Sequence, residues 1–221
     1  MPTRILLLRH GESSDPTVFH GAESDVGLGP RGRRQAEAVA AVLAGERPAA
    51  VASSAMRRAL ETARPIAAAC ACPLLVEPDL HERRVGALSG TTFHASEGVW
   101  PETLGRWMAG ETGYAPEGAE SFDAIRRRVV PVLGRLAAGH EGRTLVVVAH
   151  GVVCKVVFFS LLPGLDVGDW KRVGPILNAA VSELVWEPTG WRAVRLNEQP
   201  EAVRRVEEWP DGPTATGLRS G

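Results

Sequence analysis

Two aliphatic runs, residues 5–8 and Leu145–Ala149, constrain the fold of this chain more than any other feature. Continuous aliphatic residues over four or five positions are typical of a strand that is buried on both faces, as in a parallel sheet. A histidine that precedes a glycine follows each run closely, at His10 and at His150. Because ligands bind beyond the carboxyl ends of parallel strands, both imidazoles are predicted to lie at one sheet edge.

Strands and helices alternate along the chain. Strands are predicted at 3–8, 49–53, 74–76 and 144–149, and helices at 31–43, 56–69, 100–108, 122–136 and 152–162. Two further strands, 181–186 and 191–196, form a late hairpin around Pro188-Thr189-Gly190. Pro65 and Pro131 are expected to kink or break their helices. The pattern predicts an α/β protein, a three-layer sandwich with a mostly parallel sheet flanked by helices.

One domain accounts for most of the chain. Its 221 residues, 44% of them hydrophobic, are sufficient for a single full core. We predict that residues 1–196 form this domain, with a small cap insertion at about 86–120. Residues 197–221 are polar and rich in proline and glycine, which predicts a loosely ordered C-terminal tail.

Composition excludes several classes of partner. A formal net charge of -1 gives no global basic field, so neither nucleic acid nor an anionic membrane is expected as a partner. No apolar run approaches the roughly 20 residues of a membrane span, and no secretory signal is evident, so a cytoplasmic protein is expected. Cys70, Cys72 and Cys154 are expected to be free thiols. The sequence leaves monomer and homodimer open.

Arginine and carboxylate side chains accompany the two histidines. Arg9 precedes His10, and Arg58 lies where a predicted strand runs into a helix. A guanidinium group binds two phosphate oxygens at once and stays charged at any working pH. Glu82 lies in a glycine-containing loop and could protonate a leaving alkoxide. Taken singly, each residue has a plainer interpretation, such as a structural histidine, a solvated arginine or a surface carboxylate. Taken together, they indicate chemistry on phosphate.

Four motifs occur in order along the chain. They are Arg-His-Gly-Glu-Ser at 9–13, Ser-Ser-x-x-x-Arg-Ala-x-x-Thr-Ala at 53–63, Leu-x-Glu-x-x-x-Gly-x-x-x-Gly at 80–90 and Ala-His-Gly at 149–151. This set resembles the histidine phosphatase superfamily, which includes the cofactor-dependent phosphoglycerate mutases, in its small-cap branch. The resemblance covers roughly residues 3–186. Motifs of P-loop nucleotide sites and zinc proteases do not occur, nor does the cysteine–arginine spacing of cysteine phosphatases.

The resemblance assigns a role to each matched residue. It implies that His10 is a nucleophile that becomes a phosphohistidine, and that Glu82 protonates the leaving group and later activates water. Arg9, Arg58 and His150 resemble the family's phosphate-pocket residues, which neutralise charge in the transition state. No metal and no cofactor are implied. The candidate substrate-binding residues are Gly11, Ser13, His20, Gly151 and Val152, since a glycine lets backbone amides approach an anion.

Two positions depart from the family pattern. Pro16 stands six residues after His10, where many members carry an asparagine that contacts phosphate. Ser13 and His20 are candidates to replace it, although a surface loop histidine is the plainer interpretation of His20. Lys155 stands where relatives often have arginine, either at the pocket rim or in solvent. Arg57 is expected to be exposed.

The predicted activity is that of a phosphomonoester hydrolase acting on a small phosphorylated metabolite. The same site serves mutases, but those tend to have a longer cap with extra basic groups, and here 86–120 holds only His94 and Arg106. A phosphoglycerate mutase and a non-catalytic phospholigand-binding module remain the alternatives. The substrate itself is left open.

Overall fold

A six-stranded sheet runs through the computed structural model, which describes residues 1–92 and 98–208. The strands are β1 (Thr3–Arg9), β2 (Ala50–Ser54), β3 (Leu74–Glu77), β4 (Thr144–Ala149), β5 (Val181–Glu187) and β6 (Gly190–Glu198). They are arranged in the order β3-β2-β4-β1-β5-β6. The first four positions are parallel to one another, while β5 and β6 form an antiparallel hairpin beside β1. The mostly parallel sheet and the late hairpin are therefore confirmed.

Seven helices occur within the described ranges. They are α1 (Pro30–Ala44), α2 (Arg57–Ala69), α3 (Val99–Met108), α4 (Phe122–Ala138), α5 (Gly151–Leu161), α6 (Trp170–Val173) and α7 (Glu201–Glu208). The first five match the predicted helices to within three residues, whereas α6 and α7 were not predicted. Pro65 and Pro131 lie inside α2 and α4, and neither proline breaks its helix. Both helices pack against other elements, so tertiary contacts offset the missing backbone hydrogen bond.

Helices cover both faces of the sheet. Ile5 and Leu7 of β1 belong to a core shared with α4 and α5, whereas Leu6 and Leu8 belong to a core shared with α1 and α2. This division follows from the two-residue period of a strand, which sends successive side chains to opposite faces. A continuous aliphatic run is therefore required in β1, and the predicted three-layer sandwich is confirmed.

The C-terminal region differs from the loosely ordered tail that the sequence predicted from residue 197. Strand β6 extends to Glu198, and α7 follows and packs against α1. Val203 of α7 is fully buried in the core that contains Val39 and Leu43. Residues 209–221 of the predicted tail lie outside the described residues. None of the helices in the described part of the chain is long and apolar enough to cross a membrane.

The packing of α7 predicts that Val203→Ala lowers the free energy of unfolding by about 2 kcal/mol, because two buried methyl groups are lost and a cavity forms. Chemical denaturation measures this difference. Glu208→Ala is the control, since Glu208 is exposed on the same helix. Equal stability of the two variants would show that α7 contributes nothing to the core.

Candidate active site

The parallel pairing of β1 with β4 brings the two predicted histidines together. Arg9 pairs with Ala149 at the carboxyl ends of the strands, and the His10 amide donates to the Ala149 carbonyl at 3.0 Å. The imidazole ring centres of His10 and His150 are 5.1 Å apart. Arg9, His10 and His150 thus lie together at the predicted sheet edge.

The imidazole of His10 is buried and held in one tautomer. Its Nδ1 lies 2.6 Å from the carbonyl oxygen of Gly11, which only accepts, so Nδ1 carries the proton. Nε2 accepts a hydrogen bond from Arg58 Nε at 3.2 Å. Burial, together with the charges of Arg58 and Arg9, holds the pKa of His10 well below its usual range. His10 is therefore a neutral imidazole with a lone pair on Nε2.

Arg58 links His10 to the loop that precedes α1. The guanidinium is buried in the first turn of α2 and donates to the carbonyl oxygens of Ser24 at 2.8 Å and Gly21 at 3.4 Å. Burial lowers its pKa, but a guanidinium keeps its proton at neutral pH. One side chain thus fixes the position of the loop and supplies positive charge beside the nucleophile.

Arg9, at the end of β1, lines the same cavity as His10. Its Nη1 donates to the Ile176 carbonyl oxygen at 2.5 Å, and its buried Nε has no partner among the described residues. Burial lowers the pKa of Arg9 as well. An unpaired buried N–H is costly unless a ligand accepts from it. Arg9 is therefore available to bind an anion.

His150 is a buried imidazole that contacts Ser54 through one ring nitrogen. The Ser54 hydroxyl oxygen accepts from the Met56 amide at 3.2 Å and lies 2.9 Å from His150 Nε2. The other ring nitrogen, Nδ1, is buried and has no partner among the described residues. Burial and the charge of Arg58 hold the pKa of His150 well below its usual range.

Glu82 lies at the N-terminus of α5. Its Oε1 accepts from the Arg83 amide at 2.9 Å, and its Oε2 accepts from the Val152 amide at 3.4 Å. The side chain is 9% exposed and lines the same cavity as His10. A carboxyl group at this place has access to a substrate while it is held by two backbone donors.

Arg128 of α4 holds the backbone that carries Glu82. Its guanidinium donates to the carbonyl oxygens of Asp79 at 2.7 Å, His81 at 2.8 Å and Glu82 at 3.3 Å. The same group pairs with both carboxylate oxygens of Glu120, at 2.8 and 2.9 Å. The position of Glu82 therefore depends on a residue that the sequence analysis did not identify.

A cavity of about 550 Å³ opens between these groups. It contacts eight of the ten predicted site residues, and Pro16 as well. The eight are Arg9, His10, Ser13, His20, Arg58, Glu82, Gly151 and Val152. Of the other two, His150 packs directly against the His10 ring, at the edge of the sheet.

Gly11, the tenth residue, contacts α1 and α2. Its amide donates to Thr62 Oγ1 at 3.0 Å. A Cβ at Gly11 would lie 2.5 Å from the Gly32 carbonyl oxygen, so the close approach of α1 requires glycine here. The substrate-binding role of Gly11 stays a prediction, and its amide would have to leave Thr62 to bind an anion.

The two candidates to replace the family asparagine are bonded within their own loop. His20 has Nδ1 2.8 Å from Ser24 Oγ and Nε2 2.6 Å from the Asp15 carbonyl oxygen, so both ring nitrogens are engaged. Ser13 Oγ donates to the same Asp15 carbonyl at 3.2 Å. Asn178, which no motif indicated, lines the cavity and donates to the His10 carbonyl oxygen at 3.0 Å.

Basic residues outside the motifs were only partly anticipated. Lys155 is buried and lines the cavity, so the solvated alternative was wrong, and burial lowers its pKa to about 8. Arg57 is exposed as predicted. Arg106 is exposed and paired with Glu102 and Glu111. His94 lies outside the described residues.

Arg83 lines the cavity although the sequence analysis did not single it out, since it belongs to no charge pattern.

Comparison with known proteins agrees with this arrangement. Residues 5–199 match the family model of the histidine phosphatase superfamily (branch 1). The metal-independent phosphoserine phosphatase of Arabidopsis thaliana is 35% identical over 199 residues, which are 86% of this chain and 79% of that protein. A bifunctional protein of Mycobacterium tuberculosis is 40% identical over 171 residues, covering 76% of this chain and 46% of that protein, so the chain spans about half of its length.

A solved structure has the same fold. Mycobacterial glucosyl-3-phosphoglycerate phosphatase superposes with a TM-score of 0.79 at 28% identity, over 90% of this chain and 100% of that one.

The lowered pKa values of His10 and His150 predict a pH-dependent stability. In the unfolded chain each imidazole titrates near pH 6.5, so below that pH the unfolded state binds more protons than the folded state. We expect the free energy of unfolding to fall by about 1.4 kcal/mol per pH unit for each histidine, until the folded-state pKa is reached. Denaturation between pH 7 and 5 measures the slope.

The control is the pair of variants His10→Asn and His150→Asn, which remove one titrating imidazole each. Each variant should have a shallower pH dependence than the parent. Identical slopes in the parent and both variants would contradict the assignment of neutral buried histidines.

Proposed function

Since this chain belongs to the histidine phosphatase superfamily, we propose that it hydrolyses small phosphomonoesters through a phosphohistidine at His10 Nε2. Two of the proteins named above are phosphatases, one of phosphoserine and one of glucosyl-3-phosphoglycerate. The observation that carries the proposal is the buried His10, whose unprotonated Nε2 is held by Arg58 in a cavity that Glu82 also lines. A non-catalytic binding module has no need of either feature.

In the first step His10 Nε2 attacks phosphorus, so a P–N bond forms while the bond from phosphorus to the ester oxygen breaks. Glu82 gives a proton to the departing alkoxide oxygen. The Nδ1 proton of His10 stays on the ring, where the Gly11 carbonyl oxygen stabilises the positive charge of the phosphoimidazole. The products of this step are the free alcohol and the phosphohistidine.

Charge on the transferring phosphoryl group is neutralised by arginine side chains, and His150 adds a neutral hydrogen bond. Arg9 Nε and His150 Nδ1 have no other partner among the described residues, and we assign the His150 proton to Nδ1, with the Ser54 hydroxyl donating to Nε2. Arg58 joins them, because its Nε loses its acceptor when His10 Nε2 bonds to phosphorus and can turn to a phosphoryl oxygen. Arg9 Nε needs no such rearrangement, and preorganised donors contribute most to catalysis for that reason.

In the second step a water molecule attacks phosphorus from the side that the alcohol has left. The Glu82 carboxylate takes a proton from this water, and the P–N bond breaks. His10 then recovers its neutral state, Glu82 is protonated again, and inorganic phosphate leaves. We propose that residues 86–120 act as the cap of this site, since Trp100 of α3 lines the cavity.

We expect His10→Ala to abolish turnover and the acid-labile phosphoryl group that forms on the protein. Glu82→Gln should lower kcat for an alkyl phosphate by about 100-fold to 10,000-fold, because a poor leaving group needs the proton. For p-nitrophenyl phosphate, whose leaving group needs little protonation, the loss should be much smaller. Initial rates of phosphate release and quenched labelling measure these effects.

Arg57→Gln is the matched control, since Arg57 is exposed beside Arg58, and it should retain the parent rates. Equal losses on both substrates in Glu82→Gln would remove Glu82 from the role of proton donor. Efficient interconversion of phosphoglycerates without phosphate release would identify a mutase instead.

A further inference from the structure

Arg83 is a buried cation whose end groups have no acceptor. The residue is 1% exposed, and its Nε donates to the Glu120 carbonyl oxygen at 2.9 Å. Its Nη1 and Nη2 are both buried without a partner among the described residues. The guanidinium carbon lies 4.9 Å from the ring centre of Trp100 and 5.0 Å from that of Trp107.

The indole contacts explain only part of this arrangement. A cation close to two indole rings gains electrostatic attraction, but an aromatic face accepts no regular hydrogen bond. A buried donor without an acceptor costs free energy, more so when it is charged. Nη1 and Nη2 form a planar fork whose geometry matches the two oxygens of a carboxylate. The unpaired N–H groups of Arg83 are therefore complementary to a carboxylate.

The position of Arg83 connects it to the reacting part of the site. It lines the same cavity as His10 and directly follows Glu82, the proposed proton donor. The group that receives the proton from Glu82 is the ester oxygen of the leaving alcohol. The charge of the Glu82 carboxylate acts on Arg83, whereas Arg9 and Arg58 are the arginines beside the nucleophile, so a ligand group at Arg83 is assigned to the leaving alcohol.

Lys155 supplies a second positive charge in the same aromatic cluster. Its Nζ lies 4.4 Å from the ring centre of Trp170 and donates to the Trp170 carbonyl oxygen at 3.0 Å. The Trp170 ring centre is 5.9 Å from that of Trp100, on which Arg83 packs. Both cations line the cavity, and neither forms a salt bridge within the described ranges, although the charges of Glu82, Glu120 and Glu23 act on Arg83.

We propose that Arg83, assisted by Lys155, binds a carboxylate on the leaving alcohol, so that the preferred substrates are phosphomonoesters of small hydroxy acids. The inference rests on the proposed phosphatase function and names the substrate class of that same site. Arg83 selects the substrate and takes no part in bond breaking. The indole rings of Trp100 and Trp170 shield the ion pair from water, which strengthens it.

A pair of substrates that differ only in the carboxylate tests the proposal. O-Phosphoserine and O-phosphoethanolamine have the same phosphate ester and the same amine, but only the first has a carboxylate. The parent protein should have a kcat/KM for phosphoserine at least 10-fold higher, because charge-assisted hydrogen bonds discriminate by about one to two orders of magnitude. This comparison requires no variant and does not depend on how a substitution folds.

Arg83→Gln should lower kcat/KM for phosphoserine by about 10-fold to 100-fold, mainly through KM, because the carboxylate is bound equally before and during the reaction. Turnover of phosphoethanolamine and of p-nitrophenyl phosphate should change by less than about twofold. Arg83→Lys should recover part of the preference, and Lys155→Met should reduce it. Arg84→Gln is the matched control, since Arg84 is exposed next to Arg83.

Three results would overturn the inference. The parent could hydrolyse phosphoserine and phosphoethanolamine equally well, or Arg83→Gln could lower both activities in proportion, or Arg84→Gln could reduce the preference as much as Arg83→Gln does. In each case hydrolysis of p-nitrophenyl phosphate by the parent would leave the proposed function intact. If the parent neither hydrolyses any of the three substrates nor forms a phosphohistidine, the proposed function fails together with the inference.

Discussion

The crowding of positive and potentially positive groups at one buried sheet edge is the constraint on which the rest of this structure depends. Arg9, His10, Arg58 and His150 converge at the ends of β1 and β4, where burial lowers the pKa of each, and repulsion by neighbouring cations adds to this for His10, Arg58 and His150. Such a cluster opposes folding unless an anion occupies it. Burial and this repulsion keep His10 neutral, and a neutral imidazole is the form that can attack phosphorus.

Backbone carbonyl oxygens hold this cluster in place. Arg58 donates to the loop before α1, Arg9 to Ile176 before β5, and Arg128 to the segment that carries Glu82. Each arginine thus joins the site to a segment that is distant in sequence. Since carbonyl groups carry no net charge, they orient the donors without cancelling the positive potential that a phosphoryl group requires. Backbone carbonyl oxygens thus orient the arginine side chains, and the arginine side chains supply the positive charge of the site.

The sequence located the histidines by elementary reasoning but not the residues that support them. His10 and His150 follow aliphatic runs, and a parallel sheet must bring such strand ends together. Arg58 and Glu82 could be assigned a role only because they match the motifs of the family. Arg128 acts on Glu82 and Asn178 acts on His10 through contacts that span 46 and 168 positions of the sequence. No local pattern in sequence encodes such contacts.

The placement of charge also changes the argument about the cap. The sequence favoured a phosphatase because 86–120 contains few basic residues, and Arg106 is indeed paired with carboxylates at the surface. Yet Arg83 precedes that segment and Lys155 lies on α5, and both face the cavity. A substrate's second anion can therefore be bound without basic residues in the cap. Hydrolysis then differs from transfer in that the released alcohol leaves before water reaches the phosphohistidine. A small alcohol that is held by one carboxylate can dissociate and be replaced by water.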